Sequence, residues 1–158
     1  MEQHDKDVTM QISQKGMEFI EDFEGLRLKA YQCSAGVWTI GIGSTRYEDG
    51  KPVKKGDVLP NEAAAYNLFR VTVGQYEKAV NDLGAKLEQC QFDPLVSLCY
   101  NIGVGNFTNS TVARLVKANP DDKAIAEAIK RWNKASGKVV AGLVRRREAE
   151  AKLYFGEL

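Results

Sequence analysis

Between Phe23 and Ser44 the chain changes its hydrophobic period, and that change limits what it can build. Before Glu24, the apolar residues Met17, Ile20 and Phe23 recur at three-residue steps, the spacing of one helix face. The pattern stops at Gly25, the residue type that adopts the left-handed conformation just past a helix end. From Leu26 the period is two: Leu26 and Leu28 alternate with Arg27 and Lys29. After a Cys33-Ser34-Ala35-Gly36 turn, Trp38, Ile40 and Ile42 alternate with Thr39, Gly41 and Gly43. The segment therefore predicts a helix with Glu24 at its C-terminal end and a hairpin over residues 26–43 beside it. Glu24, Cys33 nine residues on and Thr39 six beyond that place three reactive side chains at fixed offsets.

The rest of the chain reads mainly as helices. Ser13 is placed as the N-cap of the first one. Tyr47-Glu48-Asp49-Gly50 predicts a further turn and a short third strand. From Leu59-Pro60-Asn61 onward, Tyr66, Phe69, Val73, Tyr76, Val80 and Leu83 recur at three- and four-residue steps as far as Gly84, which predicts one long helix. Asp93-Pro94 reads as an acidic N-cap with proline at the first helical position, opening a helix through Leu95, Leu98, Cys99 and Ile102 to Gly103. Asn109-Ser110 caps a short helix closed by Asn119-Pro120, and another carries Ile125, Ile129 and Trp132. The last runs from about Gly142 to Tyr154. Several helices and one small sheet in 158 residues define an α+β chain, with the long helix joining a hairpin lobe to a helical lobe across a cleft.

Composition narrows the function classes. At 44% hydrophobic and 27% charged, the chain is of the ordinary globular kind, and its length fits one domain. Residues 1–10 are polar and are expected to form a disordered tail, leaving residues 11–158 as a single domain. Three cysteines, Cys33, Cys90 and Cys99, make no even disulfide framework. Cys90 and Cys99 read as small apolar packing residues. One histidine, His4, and scattered cysteines supply no metal-ligand set, and Gly41-Ile42-Gly43 lacks the third glycine of a phosphate-cradling loop, so neither metal nor cofactor is expected. No stretch is apolar enough to span a bilayer, and no signal peptide is visible. Residues 114–158 hold 11 Lys and Arg against 6 Asp and Glu, whereas residues 1–113 hold 11 against 15. The basic third, Arg145-Arg146-Arg147 above all, reads as a solvated helix face or as a surface for an anionic polymer. That charge is the one feature favouring nucleic acid, and no nucleic-acid partner is expected.

The run from Glu24 to Ser44 closely resembles the catalytic segment of the phage lysozymes, glycoside hydrolase family 24. The shared features are a helix-ending Glu-Gly-Leu-Arg-Leu, then eight residues from the Glu to an Asp or Cys, then five to a Thr in a Trp-Thr-Ile-Gly-x-Gly strand. This chain has Cys33 at the position that is Asp in most of the family. Phe92-Asp93-Pro94-Leu95-Val96, Tyr100-Asn101-Ile102-Gly103 and Gly142 through Glu150 resemble later family segments, and only about the first dozen residues fall outside. The family often has His where this chain has Ser44, so any salt bridge made there is lost.

The resemblance implies a lysozyme-like two-lobed fold and a muramidase, an endolysin cutting the β-1,4 bond between N-acetylmuramic acid and N-acetylglucosamine in bacterial peptidoglycan. Glycoside hydrolysis needs an acid to protonate the leaving oxygen and a second group on the other sugar face. Glu24 would be that acid. Cys33 would attack the sugar with retention or activate water with inversion, and Thr39 would orient the water or the sugar. Thr45, Tyr100 and Asn101 would bind substrate. The implied protein is a monomer held in the host cytoplasm until a separate holin opens the way to the wall. Two other readings stay open: a lytic transglycosylase, which needs one acid and no second group, and a wall-binding module without catalysis.

Overall fold

The computed structural model describes residues 9–158; the expected polar tail, His4 included, lies almost entirely outside them. The described elements are α1 (Gln14–Glu24), β1 (Arg27–Gln32), β2 (Trp38–Gly41), α2 (Glu62–Asn81), α3 (Gln89–Ile102), α4 (Val104–Thr108), α5 (Thr111–Ala118), α6 (Ala124–Lys130), β3 (Lys134–Ala135), β4 (Lys138–Val139) and α7 (Ala141–Tyr154). The α+β class read from the sequence is the class observed. The chain forms two compact units, one of Met17–Gly74 and one of Gln75–Leu158 together with the residues up to Gly16.

The smaller unit is built on the antiparallel β1–β2 hairpin, with Tyr31 opposite Thr39, Gln32 opposite Trp38 and a bulge between Arg27 and Tyr31. Ile40, Val53 and Leu68 form its apolar centre, with Ala30, Trp38, Tyr47 and Leu59 packed around them. Strand β2 does not keep the alternation its sequence predicts, because Thr39, Ile40 and Gly41 are all buried. Gly41 explains part of this: it takes a φ of 67°, outside the extended range, so the regular alternation ends there. The expected third strand is reduced to single bridges, Lys29 with Val58 and Arg46 with Pro52. Proline has no N–H to extend the ladder, and the loop crosses the β1 edge through Ala30 N to Asp57 O (2.9 Å) and Leu59 N to Leu28 O (2.7 Å). Ser44 is fully buried. Its hydroxyl lies 2.8 Å from that of Thr72, which gives its own proton to Leu68 O at 2.9 Å, so Ser44 is the donor of an uncharged pair.

In the larger unit, α3 packs against α7, and α7 against α6, around Phe92, Leu95, Leu98, Phe107, Ile125, Ile129 and Leu153. Helix α3 starts five residues before Pro94, at Gln89: Glu88 and Gln91 form a reciprocal capping box, and Pro94 lies inside the helix. Asp93, which the sequence marks as a cap for α3, serves α1 instead. Its carboxylate accepts from Ser13 N at 3.2 Å, from the Ser13 hydroxyl and from Gln89 Nε2 at 2.7 Å. Ser13 is the N-cap its sequence predicts, its Oγ accepting from Gly16 N at 3.0 Å. Met10 and Ile12 tie the same segment to α2 through Asn81 (3.0 Å) and Glu77 (2.8 Å). Ser110 caps α5 as expected, accepting from Ala113 N. Trp132 falls beyond α6, and a β3–β4 hairpin that the sequence reading passed over turns at Ser136 (φ 52°) and Gly137 (φ 79°).

Gly16 has no room for a side chain, since a Cβ would lie 2.6 Å from both Asp93 Cγ and Ile12 Cγ1. Gly16→Ala is therefore expected to push Asp93 off Ser13 and destabilise the protein by about 1–3 kcal/mol, the range for overpacking. Thermal or urea unfolding measures it; a variant as stable as the parent would contradict this packing.

Candidate active site

Glu24 is the last residue of α1, and Gly25 turns the chain out of the helix at φ 79°, donating its N–H to Glu21 O at 2.7 Å. Tyr66 holds this end from α2, its hydroxyl donating to Glu21 Oε1 at 2.6 Å. That bond, with burial and the nearby carboxylates, keeps the phenol protonated, its pKa pushed up to about 12. Three residues after Glu24 the chain enters β1, so helix end and hairpin are joined by the shortest connection the left-handed glycine allows.

Cys33 opens the hairpin turn, with Cys33 N donating to Val37 O at 3.0 Å and Gly36 N to Cys33 O at 2.8 Å. Cys33 therefore lies opposite Val37, two places along from the Tyr31–Thr39 pair, which puts Tyr31, Cys33, Val37 and Thr39 on one face of the sheet. Cys33 is half-buried. Its thiol is held below the ordinary range, first by the backbone N–H groups of Val37 and Ala35, and further by the Thr39 hydroxyl. Thr39 Oγ1 lies 2.9 Å from Val37 O, so its one proton has two competing acceptors, that carbonyl and the sulfur.

Tyr31 is a member of this cluster that the sequence reading missed. Burial raises its phenol pKa first, the Glu24 carboxylate next, and Cys33 also raises it, against the lowering effect of Arg27. The Arg27 guanidinium sits 4.6 Å from the Tyr31 ring centroid. A signal was present: two-residue periodicity puts Tyr31 on the face of Cys33.

The other expected residues are divided. Thr45 is exposed in the smaller unit, its carbonyl accepting from Val53 N at 3.0 Å. Tyr100 and Asn101 lie at the end of α3 in the larger unit. Tyr100 packs edge-on against Tyr76, centroids 4.9 Å apart, and Asn101 is exposed with its Oδ1 accepting from Arg147 Nη2 at 2.7 Å. Arg145 is exposed, but Arg146 and Arg147 are buried, which corrects the reading of this cluster as a solvated or polymer-binding face. Both ion-pair with the buried Glu150, at 3.3 and 2.9 Å. All three cysteines are free, and burial pushes the Cys99 thiol up to about 12. Among the described residues no group of His, Cys, Asp and Glu could hold a metal ion.

A helix ending in a carboxylate and followed directly by a hairpin, in a small α+β chain, agrees with the lysozyme-like class that the sequence implies. Residues 21–150 match the phage lysozyme family, and the chain belongs to it. It is 41% identical over 150 residues to an endolysin of Acyrthosiphon pisum secondary endosymbiont phage 1, covering 92% of this chain and 98% of that one. The endolysin from Escherichia coli O157:H7 phage FAHEc1 superposes with a TM-score of 0.86 at 39% identity, over 96% of this chain and 97% of the other. The muramidase domain of SpmX from Asticaccaulis excentricus does so at 0.78 and 36%, over 91% and 97%. The protein is thus a glycoside hydrolase of the lysozyme type.

The lowered Cys33 pKa means that its thiolate persists to lower pH than that of an ordinary cysteine. Alkylation followed by mass mapping from about pH 6 to 9 is expected to label Cys33 first, and Cys99 only on unfolding. Equal labelling of Cys33 and Cys99 in the folded protein would contradict this.

Proposed function

We propose that residues 11–158 act as one catalytic domain, a muramidase that cuts the β-1,4 bond between N-acetylmuramic acid and N-acetylglucosamine in bacterial peptidoglycan. The observation that carries the reading is the shared face of Cys33 and Thr39, with Tyr31 responding to both Cys33 and the Glu24 carboxylate. Glu24 gives its proton to the glycosidic oxygen as the bond to the anomeric carbon breaks. Cys33 acts on the opposite sugar face. Attack by its thiolate gives a covalent glycosyl enzyme and retention, whereas removal of a proton from water gives inversion, and the anomer first released separates the two. Thr39, with lone pairs directed away from its own donated proton, accepts from that water or from a sugar hydroxyl. Tyr31, kept neutral by its surroundings, can donate to the sugar from the same face. Thr45, Tyr100 and Asn101 bind substrate, the tyrosine by packing on a pyranose face and the amide through hydroxyl and acetamido groups.

Among the described residues no helix is long and apolar enough to cross a membrane. We propose that the protein acts as a monomer at lysis, waiting in the host cytoplasm until a separate membrane-permeabilising protein gives it access to the wall.

Glu24→Gln is expected to fold normally and lose roughly 10²–10⁴-fold in wall cleavage, the usual contribution of a general acid. Mass spectrometry of the parent's products should show muramic ends that have gained water. Anhydro ends, with activity surviving in Cys33→Ala, would replace hydrolysis by transglycosylation, and binding without any product would leave a wall-binding module.

A further inference from the structure

Between Asp93 and Asp121 the chain has no carboxylate, yet α5 carries two cations, Arg114 and Lys117, three residues apart and so on one face of the helix. Both are exposed, and neither takes part in an ion pair among the described residues. Like charges one turn apart repel, a cost that an anion held by both would remove. The two line one wall of a groove of about 750 Å³ in the larger unit, inside the roughly 300–1,000 Å³ of small-molecule sites. The opposite wall is the end of α2 and the residues just after it, where Lys78 is already matched by Asp82 at 2.8 Å. Among the described residues that line the groove, Asp82 is the one carboxylate, so Arg114 and Lys117 leave it two positive charges in excess.

The remaining lining is mixed. Leu83, Val104 and Ala113 supply apolar surface, and Thr108, Asn109 and Thr111 supply polar groups. Asn109 donates through Nδ2 to Gly105 O at 3.1 Å and keeps Oδ1 as an acceptor. Ser110 is spent on its own helix, donating to Phe107 O at 2.6 Å and accepting from Ala113 N at 3.0 Å.

We propose that this groove binds a sugar phosphate. A phosphate monoester carries between about −1.5 and −2 charges at pH 7 and three acceptor oxygens. It can meet the planar fork of Arg114 through two oxygens and the ammonium of Lys117 through the third, which matches the excess charge. A carboxylate has one charge and two oxygens, which the guanidinium fork alone would fill, leaving Lys117 unmatched. The carrier follows from the rest of the lining: two hydroxyls and an amide carbonyl suit ring hydroxyls, and the apolar surface suits the C–H face of a sugar. Binding here is independent of the muramidase reading, since none of these residues belongs to the set of Glu24, Cys33 and Thr39. A sugar phosphate free in solution and the phosphorylated sugar headgroup of a lipid share this chemistry.

The test uses the full chain and three soluble probes, N-acetylglucosamine 1-phosphate, N-acetylglucosamine and inorganic phosphate, with Kd values read from the NMR resonances of residues 108–117. The sugar phosphate is expected to bind there most tightly of the three. Arg114→Gln combined with Lys117→Gln alters only exposed side chains, so it should keep the melting temperature. It should weaken sugar phosphate binding about tenfold, roughly one charge-assisted hydrogen bond after solvent screening. An unchanged Kd in the folded double variant overturns the proposal. Inorganic phosphate binding as tightly as the sugar phosphate also overturns it, leaving an unselective pair of charges. If the double variant does not fold, the parent's resonances decide: no movement at residues 108–117 on adding the sugar phosphate refutes the site. Phosphatidylcholine vesicles with and without lipid A, whose glucosamine disaccharide carries phosphate monoesters, then identify the source. Binding to the lipid A vesicles that the double variant loses assigns the headgroup of a lipid, and binding of the soluble probe alone assigns a free sugar phosphate.

Discussion

The larger unit depends on one buried charge. Glu150 on α7 has no exposure to water and meets Arg146, Arg147 and the Ser97 hydroxyl of α3. Burial raises its pKa, and the two guanidiniums and the Ser97 hydroxyl pull it back down. An ion pair of this kind adds little over a well-packed apolar equivalent, but loss of one member leaves a bare charge indoors and costs about 3–5 kcal/mol. What it adds is register. Arg146 also reaches the Ser97 carbonyl at 3.3 Å, and Arg147 reaches Asn101, so α7 can seat on α3 at one height only. Sliding one helix by a turn would strand several buried polar groups at once.

The smaller unit solves a different problem, which is how to hold reactive groups near water without losing their positions. It does so with short covalent connections and backbone hydrogen bonds. Gly25 lets the chain leave α1 directly after Glu24, and the tight turn after Cys33 aims peptide N–H groups at the sulfur. Backbone donors come first among the groups that hold the Cys33 thiol below its ordinary range, ahead of the Thr39 hydroxyl. Where the resemblance leads one to expect histidine, the buried Ser44 and the half-buried Thr72 make a neutral pair. The site's surroundings therefore change little with pH from that quarter.

The sequence was most legible where a single local rule acts. Ser13 and Ser110 cap the helices they precede, Gly25 and Gly103 end the helices they follow, and two-residue alternation marks the hairpin. It misled where one residue type serves two purposes. Asp93-Pro94 has the form of a helix start, but Asp93 is engaged by Ser13, eighty residues away, and the helix begins earlier at a Glu-Gln capping box. Arg145-Arg146-Arg147 has the form of an exposed basic run, but only a partner across the helix pair reveals that two of the three are indoors. The β3–β4 hairpin was within reach, since Ser136-Gly137 is a turn dipeptide, but its flanking strands are two residues long and leave no periodicity to read.

The sequence by itself determined the class of fold, the family, and the order and offsets of Glu24, Cys33 and Thr39, because helix ends, turn residues and strand alternation are properties of neighbours along the chain. The tertiary structure decided which charges are buried and which side chain Asn101 accepts from. Those depend on groups distant in the chain, such as Arg147 and Glu150 for Asn101, and burial changes what a charged or polar group can do.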